Sequence, residues 1–264
     1  MQFIDTHSHV LAYCDDGAPN WDVSLEMLRD AEKDGIIELV CTPHILSKNE
    51  LENENELWPL YEELLKQAKK ARISIKIHMG SELYVFPDLK IEKKIATLAQ
   101  NGKYFLGEFP MALIPDFVPQ LFFDLIMDGY TPVIAHPERN GGFIEKPQKA
   151  YDFVERGSLL QITAGSLLGV FGRTIQNIAE QLMNANLVHI VATDAHNLTS
   201  RPLRLREAFL FVQEKWGSER ARVLFYENPK KLIQGQPVHI GEPVSIDFAD
   251  NKSLTGKIKS FFLR

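Results

Sequence analysis

Seven short runs rich in apolar and β-branched residues, each trailed by a longer stretch of helical periodicity, constrain the fold of this chain more than any other feature. The runs are Gln2–Thr6, Ile36–Cys41, Ser74–Met79, Tyr104–Gly107, Thr131–Ala135, Ser158–Ile162 and Val188–Thr193. Helical spacing falls over Asp22–Lys33, Glu54–Ala71, Ile91–Gln100, Pro115–Met127, Pro147–Glu155, Gly172–Ala185 and Arg201–Trp216. Strand followed by helix, repeated this regularly, predicts a mainly parallel sheet with helical crossovers. Gly35, Gly129 and Gly157 each separate a helical run from the next strand, where a left-handed cap without a Cβ is favoured. Seven such units fit a closed barrel or an open doubly wound sheet. No Gly-rich phosphate loop follows the first strand, which removes the main support for a nucleotide-binding open sheet. The expectation is therefore an α/β fold, a distorted seven-stranded (β/α)7 barrel.

At 264 residues and 45% hydrophobic content, the chain is expected to form one barrel domain over residues 1–248. A basic and apolar tail, residues 249–264, follows it. The net charge of −6 gives no basic footprint for a nucleic-acid backbone, so no nucleic-acid partner is expected. No apolar run reaches the roughly 20 residues that span a bilayer, and Met1 to Asp5 reads as a strand rather than a signal peptide. Two cysteines, Cys14 and Cys41, are too few for a disulfide scaffold. A cytoplasmic protein with reduced thiols is expected.

The ends of the predicted strands carry the chemistry. The first closes on Asp5-Thr6-His7-Ser8-His9, and residues two apart on an extended segment point to the same side, so His7 and His9 can reach one cation. Asp15-Asp16-Gly17 lies in the first loop, Thr42-Pro43-His44 follows strand two, and Gly80-Ser81-Glu82 follows strand three. Gly107-Glu108-Phe109, His136-Pro137-Glu138-Arg139 and Asp194-Ala195-His196 follow strands four, five and seven. In a parallel barrel these ends converge on one face. Five histidines and four carboxylates (His7, His9, His44, His136, His196, Asp16, Glu82, Glu108 and Asp194) exceed the about four ligands of one tetrahedral ion, so two or three ions are expected. Mixed imidazole and carboxylate donors suit manganese, iron or zinc. His78 and His189 fall inside strands and read as sheet or core histidines; with His239 they are left out of the site.

The ordered motif set, from His-x-His through Asp-Asp-Gly, Thr-Pro-His, Gly-x-Glu, Glu-Phe and His-Pro-Glu-Arg to Asp-Ala-His, resembles the PHP (polymerase and histidinol phosphatase) superfamily. More narrowly it is similar to the bacterial manganese-dependent protein-tyrosine phosphatases of capsule and exopolysaccharide clusters. The likeness spans nearly the whole chain, including Asp128 to Asn140, Gln161 to Leu167 and Ala195 to Pro202. It implies one metal held by His7, His9, Glu82 and Asp194, a second by Glu82, Glu108 and His136, and a third by Asp16, His44 and His196. It further implies that Arg139 and Arg201 contact the substrate phosphate. Asp16 is matched because it directly precedes Gly17.

A phosphate monoester dianion repels hydroxide, so its hydrolysis needs positive charge and a nucleophile available at neutral pH. A water between two cations would have its pKa lowered toward about 7 and attack phosphorus. A phenol leaves with an unperturbed pKa of about 10, which lessens the need for a general acid. The resemblance thus implies hydrolysis of phosphotyrosine on an autophosphorylated tyrosine kinase of polysaccharide synthesis. The alternatives are a small-molecule phosphatase of the histidinol-phosphate type, a phosphodiesterase, and a non-catalytic metal-containing module that binds the kinase. The cysteine-phosphatase loop is excluded, because position six after each cysteine is Asn20 or Ser47 rather than arginine. Tyr84, Phe86, Phe109 and Phe171 either form an aromatic rim around the site or pack in the core. The tail from Lys252 to Arg264 either contacts an anionic membrane or the kinase, or is a loosely ordered terminus.

Overall fold

A computed structural model describes residues 1–238 and 241–246. Its strands are β1 (Phe3–Ser8), β2 (Ile36–Cys41), β3 (His44–Ile45), β4 (Lys76–Met79), β5 (Glu82–Tyr84), β6 (Tyr104–Glu108), β7 (Thr131–Ala135), β8 (Leu159–Thr163) and β9 (Ile190–Ala192). The longer helices between them include α1 (Trp21–Asp34), followed by the short α2 (Lys48–Glu52) and then α3 (Leu57–Lys70). Further along are α4 (Val118–Met127), α5 (Gly141–Glu145), α6 (Gln148–Glu155), α7 (Ala164–Leu167), α8 (Arg173–Asn184) and α9 (Arg206–Trp216). Among the described residues no helix is long and apolar enough to cross a membrane.

Among the described residues every strand pairing is parallel, but the ladders do not form the single seven-stranded ring expected from the sequence. They form a three-stranded sheet, β1-β2-β4, and a six-stranded sheet, β3-β5-β6-β7-β8-β9. The two additional strands arise where extended runs break. Thr42-Pro43 interrupts the run from β2 to β3, and proline has no N–H to donate to a ladder. Gly80-Ser81 separates β4 from β5; a Cβ on Gly80 would lie 3.2 Å from the Leu98 backbone. The first two sheet fragments therefore continue into the second sheet at their C-terminal ends, where the polar residues stand.

Local sequence explains the best-defined crossover. Asn20 caps α1 by accepting a hydrogen bond from the Val23 N–H at 3.0 Å, and Met27, Leu28 and Ala31 form its buried stripe. Gly35 ends it at φ +105°, donating to the Ala31 and Glu32 carbonyls. Strand alternation then sorts the interior into two clusters. Ile4, Val40, Leu106, Val133, Leu159 and Ile190 pack together on one side, and Phe3, Leu39, Phe105, Ile134, Leu160 and Val191 pack beneath the helices on the other.

Two expected helices differ. Ile91–Gln100 is not a helix but two short 3-10 turns, Lys94–Ala96 and Leu98–Gln100, with Ala99 and Gln100 at φ +53° and +57°. This turn sends Leu98 into the cluster around Ile4 and Val40, so burial of one side chain overrides the local periodicity. Helix α9 begins at Arg206, not Arg201, which leaves Arg201 in a loop. Residues Ser218–Arg222, Val223–Glu227 and Asn228–Ile233 add three short helical turns, the middle one π-helical, that the sequence reading did not anticipate. They bring Leu232 and Ile233 against the Ile4 cluster. The tail 249–264 and His239 lie outside the described residues.

Candidate metal centre

The end of β1 is tied to the end of β9. The Asp194 N–H donates to the His7 carbonyl at 2.9 Å, and the His9 N–H donates to the Ala195 carbonyl at 2.8 Å. Asp5 holds the same junction from below, accepting from the Thr193 N–H at 2.9 Å and its hydroxyl at 2.5 Å. Burial raises the Asp5 carboxyl to about 7, although these bonds from Thr193 act in the opposite sense. Asp194 and His136 both adopt left-handed backbone, φ +53° and +33°, a conformation that costs free energy outside glycine and clusters at functional sites. Gly17 is also required here. A Cβ on it would lie 2.1 Å from the His9 carbonyl oxygen, which receives the Ala18 N–H at 3.0 Å.

Glu82, fully buried at the start of β5, is the hub of the arrangement. Its Oε2 lies 3.1 Å from His7 Nε2, 3.2 Å from His9 Nε2 and 3.1 Å from His44 Nδ1, and its Oε1 lies 2.9 Å from His136 Nε2. Asp194 Oδ1 is 3.4 Å from His7 Nε2, 3.6 Å from His9 Nε2 and 3.6 Å from His196 Nδ1. Glu108 Oε2 and Oε1 are each 3.6 Å from His44 Nδ1 and His136 Nε2 respectively. Asp16, an exposed loop residue, places Oδ1 3.2 Å from His196 Nε2 and 3.5 Å from His44 Nε2. All nine residues singled out in the sequence thus meet in one cluster.

Donor atoms within 4.8 Å of one another fall into three groups: His7, His9, Glu82 and Asp194; His9, Asp16, His44 and His196; and His44, Glu82 and Glu108. The first is the set implied by the resemblance. The second adds His9 to its set, and the third has His44 where the resemblance has His136. Three buried atoms at the centre, His44 Nδ1, Glu82 Oε2 and Asp194 Oδ1, have no aligned hydrogen-bond partner despite their close neighbours. Close but undirected contacts are what donors aimed at shared points produce. Unsatisfied buried polar atoms are costly, and cations at those points would satisfy them. The residues present therefore fit divalent ions.

Glu82, Asp194 and His196 are held in the forms that ligate metals. Burial alone would raise the Glu82 carboxyl, but the charge of His7, the bond from His136 and the close approach of His7 and His9 hold it well below the usual range. Asp194 is likewise lowered, burial being outweighed chiefly by His7 and His136, with Arg201 adding to them. His196 is pushed down to about 4 by burial and by neighbouring His9, leaving its imidazole neutral. His9 goes the other way, to about 10. Burial opposes its charge, but the bond to Asp15 and the nearby Glu82 carboxylate prevail.

Arg139 and Arg201 both bond Asp194 Oδ2. Arg139 ends a 3-10 turn, Pro137–Arg139, and its guanidinium lies 4.6 Å over the Phe171 ring. Arg201 is positioned by a loop in which Asn197 Oδ1 accepts from the N–H groups of Thr199, Ser200 and Arg201. Its Nε is buried without a partner.

Sequence reasoning missed the residues behind the cluster. Asp15 Oδ2 accepts from His9 Nδ1 at 2.7 Å and from the His44 N–H at 3.2 Å, while its Oδ1 accepts from the Gly17 N–H at 2.9 Å. Gln161 reaches His7 Nδ1 at 2.8 Å and is held in turn by the Thr6 hydroxyl at 2.6 Å. Buried Glu138 accepts from the Thr163 N–H at 2.9 Å and the Ser166 hydroxyl at 2.6 Å, away from the cluster. The Asp-Asp pair was the one available signal for Asp15; a lone Gln or Glu on a strand end carries none.

The aromatic alternatives also resolve residue by residue. Phe109 is core, stacked on Phe143 at 6.1 Å, because it turns under α4 to meet Phe122 and Phe153. Phe171 supports Arg139, Tyr84 lies half-buried in β5, and Phe86 lines a separate surface cavity with Lys48 and Lys93. His78 pairs with Glu38 at 2.6 Å across β2 and β4, and His189 Nδ1 accepts from the Leu160 N–H at 3.1 Å. Cys14 and Cys41 are free, with thiols pushed up by burial.

Comparison with known proteins places this geometry. A family model described as capsular polysaccharide synthesis, CpsB/CapC, matches residues 3–234. Tyrosine-protein phosphatase YwqE of Bacillus subtilis is 38% identical over 240 residues, covering 89% of this chain and 93% of that protein. The putative tyrosine-protein phosphatase CapC of Staphylococcus aureus is 33% identical, covering 92% of this chain and 93% of its own. A crystal structure from work on YwqE and Streptococcus pneumoniae CpsB, described as unique metal-dependent tyrosine phosphatases, superposes with a TM-score of 0.87. The two share 35% identity over 92% of this chain and 99% of the other. An Escherichia coli phosphotriesterase homology protein shares the fold at a TM-score of 0.57 and 9% identity, covering 88% and 99% of the chains. On the match across residues 3–234, this chain belongs to the CpsB/CapC family of capsular polysaccharide synthesis proteins.

Proposed function

We propose that this protein is a metal-dependent tyrosine-protein phosphatase acting on a phosphotyrosine-bearing protein. The observation that carries the reading is Glu82, whose Oε2 lies within 3.2 Å of nitrogens from His7, His9 and His44. Relatives at 38% and 33% identity that are named for tyrosine phosphatase activity support the substrate class.

Two or three divalent ions, manganese foremost with iron or zinc as alternatives, would be held by His7, His9, Glu82 and Asp194; by Glu82, Glu108 and His136; and by Asp16, His44 and His196. Once bound, such ions supply positive charge for the phosphoryl oxygens and lower the pKa of a water toward neutrality. The chain's own groups do the rest. Arg139 and Arg201 bind nonbridging phosphate oxygens through charge-assisted bonds, for which the unpartnered Nε–H of Arg201 is one donor. Phe171 fixes the plane of the Arg139 guanidinium. Asp15 and Gln161 orient His9 and His7 through their Nδ1 atoms, leaving Nε2 facing Glu82.

Residues 1–248 are read as one catalytic unit and the two sheets as a single distorted barrel of seven strand positions. A parallel bridge from Ser8 to Ala195 and the continuation of β2 into β3 and β4 into β5 support that reading. The substrate is assigned as an autophosphorylated tyrosine kinase of capsular or exopolysaccharide synthesis, on the strength of the family. A cytoplasmic location suits the two free thiols. The basic tail 249–264 is assigned a weak contact with that kinase or its membrane.

The test compares turnover of phosphotyrosine peptides, histidinol phosphate and a phosphodiester by metal-reconstituted protein. Preferential hydrolysis of the peptides is expected. Turnover of either other substrate with none of the peptides would overturn the reading.

A further inference from the structure

The loops around the cluster carry apolar side chains that face solvent rather than core. Tyr13 is 60% exposed, and Leu46, Met111, Leu113 and Val170 are exposed as well. Each lies in a loop that also builds the site. Tyr13 sits between His9 and Asp15, and Leu46 two residues beyond His44. Met111 and Leu113 follow Glu108 and are bound to the segment after Arg139: the Met111 carbonyl accepts from the Gly141 N–H at 2.7 Å and the Leu113 carbonyl from Asn140 Nδ2 at 3.2 Å. Val170 precedes Phe171, which lies under Arg139.

Scattered surface apolar groups need no explanation, but Tyr13 stands apart from them and a cavity begins at its neighbour. Tyr13 holds a left-handed backbone, φ +69°, fixed by its N–H donating to the Ala18 carbonyl at 3.2 Å, with its ring edge-on to Trp21. An aromatic residue pinned in a costly conformation with its ring in water is ordered for contact. Next in sequence to Tyr13, Cys14 lines a cavity of about 280 Å³ together with His44, Ile45, Asn49, Leu57 and the more polar Glu50, Asn53 and Glu56. It adjoins the cluster through His44. At just under the roughly 300 Å³ of a small-molecule site, it suits one side chain rather than a whole ligand.

We infer that this apolar rim docks the polypeptide flanking the phosphotyrosine and selects segments with apolar side chains within a few residues of it. The inference rests on the phosphatase reading above. A phosphoprotein substrate must lay its backbone across this mouth, and the loops that carry these side chains are the ones that carry Asp15, His44 and Glu108 or bond to the segment after Arg139. Burial of one or two flanking apolar side chains on Tyr13, Leu46, Leu113 and Val170 would contribute binding that a free aryl phosphate cannot make.

The test uses metal-reconstituted full-length protein, p-nitrophenyl phosphate, and two phosphotyrosine peptides of equal charge, one flanked by Leu and Val and the other by Ser and Asn. The apolar-flanked peptide is expected to show a kcat/KM about tenfold higher, as burial of one aliphatic side chain implies. The triple variant Leu46→Ser, Leu113→Ser, Val170→Ser should bring the two peptides to within about twofold. Turnover of p-nitrophenyl phosphate should stay unchanged in it. Leu46→Ser alone, a milder change, should give an intermediate ratio. Equal turnover of the peptides by the unmodified protein, or a preference that survives both variants, overturns the inference. So does a variant that changes the sedimenting mass without changing the preference, which would make the rim a self-association surface. Failure of the unmodified protein on p-nitrophenyl phosphate would instead defeat the phosphatase reading itself.

Discussion

Asp15 Oδ2 lies 2.7 Å from His9 Nδ1, while Nε2 of the same ring points to Glu82 at 3.2 Å. The carboxylate thereby fixes which nitrogen of His9 faces the cluster. Outer partners of this kind are worth about 10- to 100-fold in metal affinity. Asp15→Ala should weaken Mn2+ binding by that factor in calorimetry. Asp15→Asn, which keeps an acceptor oxygen, should recover part of the loss; full affinity in Asp15→Ala would exclude an orienting role.

Glu82 touches four imidazoles, so its loss should be felt before any chemistry. Glu82→Gln should remove most of the rise in Tm that Mn2+ gives the unmodified protein. Chelation should abolish phosphatase activity, and added Mn2+ should restore it only where Glu82 is intact. An undiminished metal-induced Tm rise in Glu82→Gln would show that the cluster is not the metal site.

Arg139 and Arg201 should act on phosphate more than on ion retention, although each also bonds Asp194 Oδ2. Arg201→Lys replaces a fork with a point charge and should lower kcat/KM roughly 100-fold, the order of about 2.7 kcal/mol of transition-state stabilisation. Calorimetric Mn2+ affinity should fall by no more than about tenfold, since lysine keeps a charge beside Asp194. A parallel fall in metal affinity would assign the arginine to the ligand shell.

Gly17 has no room for a side chain, since a Cβ would lie 2.1 Å from the His9 carbonyl. Gly17→Ala should destabilise the fold by roughly 1–3 kcal/mol through forced backbone movement and displace Asp16. Thermal melts and metal titration would report both; a neutral melt would mean the loop yields freely.

Far from the cluster, Glu38 joins His78 at 2.6 Å and Lys76 at 2.9 Å. Burial would raise its carboxyl, but the bonds from Lys76 and His78 outweigh that and lower it. Its folded pKa lies below the unfolded 4.5, so its contribution is complete above that value and lost as pH falls through the folded one. Glu38→Gln should cost about 1 kcal/mol at pH 7, and the difference from the unmodified protein should shrink as pH falls below 4.5 in acid titrations. A difference independent of pH would point to packing rather than charge.

The sequence by itself determined the alternation of parallel strands with helices, the left-handed caps such as Gly35, and the nine histidines and carboxylates at strand ends. Those features are local: strand period, cap conformation and side-chain chemistry are written in adjacent residues. It also limited the phosphatase chemistry, since neither cysteine has an arginine six positions on. Only the tertiary structure decided what depends on distant partners. The short strands β3 and β5 form beyond the expected ones because each finds a parallel partner distant in sequence, and Leu98 bends an apparent helix to fill the interior cluster. Asp15 and Asp16 are neighbours with opposite duties because one is buried against His9 and the other is exposed beside His44 and His196. Phe109 and Tyr13 both sit near strand ends, yet packing takes the first into the core and leaves the second in solvent. Periodicity records which residues share a face; only the folded chain records what that face meets.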